Sequence, residues 1–108
     1  MTMLQSVFKI EDDSKKDAIL EIVSDKYCRT ILSSVMEKPK SVIEIGAETE
    51  ISMSSIYRKI QVLCDNKLLV ITGTISDDGK KSFLYKSKIK TINAFYHGDE
   101  IKVEVTFN

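Results

Sequence analysis

Apolar residues recur at helical spacing over the first two thirds of the chain and at alternate positions over the last third. Ala18, Ile19, Ile22 and Val23 make a short stripe. After a polar break at Ser24-Asp25 a second stripe follows at Cys28, Ile31, Leu32, Val35 and Met36, the i, i+3, i+4, i+7, i+8 series of one helix face. Ser14-Lys15-Lys16-Asp17 and Ser41-Val42-Ile43-Glu44 share an S-x-x-acid form, in which the serine oxygen and the acid satisfy each other's free backbone N–H groups. Helices are therefore expected to open at Ser14 and at Ser41. The second stripe has to end before Pro39, the only proline, because the residue ahead of a proline is pushed out of the α region.

From Ser41 to about Thr49 the pattern predicts a brief helix with Val42, Ile45 and Thr49 inward and Gly46 small enough to admit another helix. A turn is expected at Glu50-Ile51, after which Ser52 caps a helix whose apolar stripe is Ile56, Ile60 and Leu63. At ~100° per residue, Ser54, Arg58, Gln61 and Asp65 fall on the opposite side, with Ser55 and Val62 beside them and Tyr57 and Lys59 on the flanks. Beyond Leu68 the period drops to two. Leu69, Ile71 and Ile75, then SDDGK, then Phe83 and Tyr85 read as two strands joined by a turn with Gly79 at the position that tolerates positive φ. KIKTINAFY, His97-Gly98-Asp99 and IKVEVTF read as a second hairpin, although Ile89, Ile92 and Tyr96 in its first arm also fit a helix.

The order is helix, helix, turn, helix, hairpin, which predicts an α+β winged helix-turn-helix of three to four helices with a wing hairpin and a C-terminal hairpin. The helix-turn-helix is placed at about 41–67, the wing at about 69–87 and the last hairpin at about 88–108. With 108 residues, 43% of them hydrophobic, the chain has material for one core, and a single domain covering 1–108 is expected. No run of eighteen apolar residues occurs and the first residues lack a signal-peptide pattern, so the expected location is the cytoplasm, with no membrane partner.

The opening of the third long helix carries the functional signal. A helix that enters the major groove needs a slim first turn, so that its backbone can approach bases and phosphates, and longer donors one turn on. Ser52, Ser54 and Ser55 supply the slim turn, Arg58 and Gln61 the reach, and Tyr57 and Lys59 flank them. Lys80 and Lys81 at the wing tip complete the candidate DNA-binding set, as a phosphate clamp beside the helix. Formal net charge is zero, but residues 1–25 are net negative by three, whereas 51–67 and 68–90 are net positive by two and three. Each cation also has a bland reading: Arg58 paired with Asp65, the lysines as solubilising charge. Tyr57 either packs against the wing or touches the DNA backbone. Fourteen lysines against two arginines mean point-charge phosphate contacts and few planar base readings.

DKYCRTIL, SVIEIGAETEISMSSIYRKIQVLCDNKLL and ITGTISDDGKKSFLYKS together resemble the ArsR-like winged helix-turn-helix regulators of prokaryotes, their archaeal members above all, over roughly residues 19–88. YKSKIK followed by a hairpin resembles a C-terminal extension of some archaeal relatives. The resemblance implies a sequence-specific, double-stranded DNA-binding transcription regulator, usually a two-fold dimer on a palindromic site. Two positions depart from that pattern: Glu50 stands where the turn usually has glycine, and Thr49 where leucine precedes it. The metal-sensing branches group cysteines at the start of the recognition helix or pair acids and histidines at the dimer interface, and neither set is present, so no metal effector is inherited.

Cys28 and Cys64 lie 36 positions apart with His97 elsewhere, which fits no zinc spacing and no redox CxxC. Both read as small buried hydrophobes, with metal sensing the minor reading. No cofactor is expected. An enzyme is the weaker class, since no nucleophile stands beside a base and no glycine-rich phosphate loop occurs. The alternative is a winged helix used for protein contact inside a transcription or chromatin assembly, which suits the zero net charge. A homodimer formed through the N-terminal helix and the C-terminal hairpin is expected, because the apolar face of IKVEVTF must cover either the chain's own first helix or a second copy.

Overall fold

The computed structural model describes residues 6–75 and 77–108. The chain is α+β, with four helices and two antiparallel sheets: β1 (Val7–Ile10), α1 (Asp13–Ser24), α2 (Lys26–Ser34), α3 (Val42–Thr49), α4 (Met53–Asp65), β2 (Leu69–Ile75), β3 (Lys81–Ser87), β4 (Ile89–His97) and β5 (Glu100–Phe107). This arrangement is compatible with a winged helix.

The helix starts follow their capping chemistry. Ser41 and Glu44 form the complete reciprocal capping box that the sequence predicts. Ser52 caps α4 by accepting from the Ser55 amide at 3.3 Å. At α1 the expectation of Ser14 is corrected: Asp12 is the cap, and its Oδ1 accepts from the Lys15 amide at 3.0 Å. A carboxylate caps as well as a serine does and adds a favourable charge at the positive helix end. α2 ends at Ser34, with Val35 as its closing residue, so Met36 falls outside the helix that the periodicity extended to it.

Between α3 and α4, Glu50 adopts a left-handed conformation, φ 61° and ψ 15°. The neighbouring groups hold it there. Its amide donates to the Gly46 carbonyl at 2.9 Å, while the Thr49 hydroxyl donates to the Ile45 carbonyl at 2.7 Å and accepts from the Ile51 amide at 3.3 Å. Thr49 thus braces the turn that the sequence marked as unusual. Gly46 lets α4 come close: a Cβ there would sit 3.4 Å from Ile56 Cδ1 and 3.5 Å from Met53 Sδ.

One connected apolar cluster runs through α1 (Ile19, Ile22), α2 (Cys28, Ile31), α3 (Val42, Ile45) and α4 (Ile56, Ile60, Leu63), and on into Ile89, Val103 and Val105 of the C-terminal sheet. The apolar face of β5 is therefore covered by the chain's own α1. Sheet order is β1-β5-β4, so Val7–Ile10 supplies an edge strand that the sequence reading missed, and β4 is a strand and not a helix. The second sheet is the β2–β3 hairpin, whose turn carries Gly79 at φ +81°; Ser76 of that turn lies outside the described residues. The two hairpins meet at buried Ser87. Its amide donates to the Val35 carbonyl at 3.0 Å, and the next amide, of Lys88, donates to the Leu68 carbonyl at 2.8 Å.

Asp25 ties three helices together. It follows α1, caps α2 by accepting from the Tyr27 and Cys28 amides at 2.8 and 3.1 Å, and forms an ion pair with Lys59 on α4. The hydrogen bond from Lys59 holds the Asp25 carboxyl below its ordinary range, against the opposing effect of burial, and the two amides add to the lowering.

Two stability predictions follow from these contacts. A depressed carboxylate stabilises the fold above its unfolded pKa and loses that contribution as pH falls through its folded pKa. Asp25→Asn, which keeps a cap but loses the pair, is expected to destabilise by ~1–2 kcal/mol at pH 7 in urea denaturation. Below the ordinary value of 3.8 the gap between parent and variant should close as the parent's own carboxylate protonates. A gap of the same size at pH 2 and pH 7 would remove the charge from the account. Glu50→Gly is expected to raise stability by ~0.5–1 kcal/mol, since the left-handed penalty of an L-residue exceeds the added entropy cost of glycine. Glu50→Ala, measured alongside, should show no such gain.

Candidate nucleic-acid interface

α4 is held by one side and open on the other. Ile56 and Leu63 are fully buried and Ile60 nearly so, while Ser54, Arg58, Gln61 and Asp65 on the far side are exposed. This is the division that the spacing predicts, and it follows from docking a 13-residue helix by a three-residue stripe.

The predicted donors fare differently from one another. Arg58 is exposed and has no hydrogen-bond or ion-pair partner among the described residues, so the expected alternative of an Arg58–Asp65 pair does not form. Asp65 instead accepts from Gln61 Nε2 at 2.8 Å. That bond uses one of the two Nε2 hydrogens, and the other hydrogen and Oε1 remain for an outside group. Ser52 and Ser55 satisfy each other, with their hydroxyl oxygens 3.0 Å apart, while Ser54 meets Ser52 only at 3.4 Å and remains open to solvent.

Lys59 is the clearest difference. Sequence reasoning grouped it with the outward donors, but its ammonium turns inward to the Asp25 carboxylate, and only 22% of its side chain is exposed. It positions α4. A signal existed, since an acid at a helix start and a lysine on the flank of another helix suit each other, but no sequence spacing relates residues 34 apart.

The β2–β3 hairpin stands beside α4 because it is pinned from behind. Lys40, just after Pro39, forms a two-bond bridge with Tyr85: its amide donates to the Tyr85 carbonyl at 3.0 Å, and the Tyr85 amide donates back at 2.8 Å. The Lys40 side chain is paired with Glu48 on α3, which also accepts from the Ser34 hydroxyl at 3.1 Å. These two donors, Lys40 foremost, hold the Glu48 carboxyl below its ordinary range. Neither Lys40 nor Glu48 was anticipated as a fixing point.

At the hairpin tip, Lys80 is largely exposed and lies 4.0 Å from the Asp78 carboxylate. Lys81 does not extend from the tip. Its ammonium lies 5.4 Å from the centroid of the Phe83 ring, a cation–π contact on the strand itself. Tyr57 joins Phe83, Tyr85 and Ile43 around a shallow depression of about 200 Å³ between α4, α3 and the hairpin. Tyr57 is 57% exposed, Phe83 47% and Ile43 72%. The surface between helix and wing is therefore partly apolar, and the sequence reading, which counted charges, missed it.

Burial raises both thiols above their ordinary range. Cys28 is enclosed in the core and Cys64 is half-buried against it, which fits the structural reading of both. Among the described residues, no three His, Cys, Asp or Glu side chains are grouped to hold a metal, and no helix is long and apolar enough to cross a membrane. No known protein family matches the chain, and no curated protein matches its sequence.

Proposed function

We propose that the chain is a winged helix-turn-helix regulator that binds double-stranded DNA in a sequence-specific way, with α3–α4 as the helix-turn-helix and β2–β3 as the wing. The observation that carries this reading is Arg58, exposed and without a partner among the described residues, in the second turn of a helix whose first turn is lined by serines. Backbone N–H groups at a helix N-terminus favour phosphate, and a slim first turn lets them reach it. Arg58 then has the length and the planar fork to read a guanine edge. Gln61 reads an adjacent base with the N–H and the carbonyl oxygen that its bond to Asp65 leaves open. Ser54 holds phosphate, and Lys80 does the same at the wing once it releases Asp78. Two copies place two such helices one turn of DNA apart, so a palindromic site with half-site centres ~34 Å apart is the natural target.

A second reading has its own observation. Ile43, Tyr57 and Phe83 expose apolar surface between helix and wing, and Glu44 of α3 and Glu50 of the following turn are exposed to solvent. Such a surface suits a protein partner better than a polyanion, and makes contact within a transcription or chromatin assembly the alternative.

The two readings separate on DNA. Arg58→Ala is expected to cost ~1–3 kcal/mol on a site selected from random duplexes and distinctly less on random DNA. Retention of the parent on duplex DNA should weaken steeply with salt. Salt-insensitive behaviour, or an Arg58→Ala loss equal on both DNAs, removes base reading. Lys80→Ala is expected to weaken selected and random DNA alike and to flatten the slope of log affinity against log salt by ~0.9 per subunit. An unchanged slope takes the wing off the DNA and favours the protein-contact reading.

A further inference from the structure

At the C-terminal end of α4 a cavity of about 280 Å³ lies between α1, the Asp65–Leu68 segment and the C-terminal sheet. Its floor is apolar, made by Ile10, Ile19, Ile89, Val105 and Phe107. Three lysines also line it: Lys15 from α1, Lys67 from the end of α4 and Lys88 from the junction of the two hairpins. None of the three has a carboxylate partner among the described residues. Lys88 leans instead over the Phe107 ring, 5.7 Å from its centroid. One acid, Asp65, shares the rim and accepts from the neutral Gln61 amide, which leaves three cations against one anion. Nor do the last carbonyls of α4 compete for the lysines. Those of Val62, Leu63 and Cys64 accept from the amides of Asn66, Leu68 and Lys67 at 3.2, 2.9 and 2.9 Å.

Lys67 lines the cavity from the left-handed residue, φ 59°, that closes the C-terminal turn of α4. An apolar floor lined by three lysines and one acid is complementary to a molecule that is apolar at one end and anionic at the other.

We propose that this cavity binds a small amphipathic carboxylate, with the tail on the isoleucine, valine and phenylalanine floor and the head among Lys15, Lys67 and Lys88. At ~30 Å³ per water-sized group the volume holds roughly nine such groups, which suits a chain of about eight carbons. A ligand seated there touches the segment that joins α4 to β2. The proposal does not depend on what the outer face of α4 binds.

Octanoate is the probe, followed by methyl NMR of the full chain, with octan-1-ol as its neutral counterpart. Saturable shifts are expected at the methyls of Ile10, Ile19, Ile89 and Val105, with octanoate binding at least ~5-fold tighter than the alcohol, about 1 kcal/mol. Lys15→Gln, Lys67→Gln and Lys88→Gln combined should weaken octanoate ~10-fold or more and leave the alcohol unchanged; these side chains are exposed, so the fold does not rest on them. Equal affinity for acid and alcohol in the parent overturns the proposal without any variant. So does the absence of saturable shifts at these methyls up to ~10 mM octanoate, a concentration at which even a ~1 mM site would be nearly filled.

Discussion

The burial of Ile56, Ile60 and Leu63 along one side of α4 is the contact on which the rest of the arrangement depends. A 13-residue helix is marginal in water by itself. Three apolar side chains taken out of water contribute ~1.5–3 kcal/mol each, enough to hold it against α2 and α3. A stripe that narrow leaves the opposite side of the helix exposed along its length. Arg58 is available because Ile56 and Ile60 are not. Gly46 serves the same docking, since a Cβ there would already touch Ile56 and Met53 at 3.4 and 3.5 Å and leave no space for a longer side chain in that direction.

Where the stripe sets the face of α4, polar contacts set its angle. Asp25 joins the end of α1, the start of α2 and Lys59 of α4, while Glu48 joins α3 to Ser34 on α2 and to Lys40, whose backbone carries β3. Together they link helix and hairpin through groups only partly exposed to water, where ion pairs are less screened than at an open surface. A shift of α4 against α2 would strand the Asp25 carboxylate beside two amides with its cation gone. α4 and the β2–β3 hairpin are thereby fixed to the same frame of α2 and α3.

Local order was legible in the sequence and cross-chain contact was not. The Ser41–Glu44 box, the Ser52 cap, the α4 stripe and the Gly79 turn each depend on residues within a few positions of one another, and each appears as predicted. The cap of α1 was misplaced by two residues because Asp12 and Ser14 offer the same chemistry and only packing chooses between them. β1 went unread because VFKI is four residues long, with no alternation to separate it from a tail, and it becomes a strand only through the open edge of β5. Lys59 and Lys40 looked like surface charge, since their acids lie on other elements. Within the candidate site, the residues placed by helical period came out as read, and those whose role depends on a partner did not.

That difference changes what zero net charge means. Four of the lysines are matched to acids in the fold: Lys16 with Asp13, Lys40 with Glu48, Lys59 with Asp25 and Lys80 with Asp78. Three of these acids lie in the acidic N-terminal half, and Lys40 and Lys59 are taken up by contacts between elements of the fold. Arg58 is left exposed on the outer side of α4, and Lys15, Lys67 and Lys88 line a cavity at its C-terminal end. A count of charges along the chain sees a neutral protein with a basic middle. The fold separates Lys40 and Lys59, held by acids on other elements, from cations left exposed with no acid partner among the described residues, Arg58 and the three cavity lysines among them, and a count cannot make that separation because the acids that decide it lie far away in sequence.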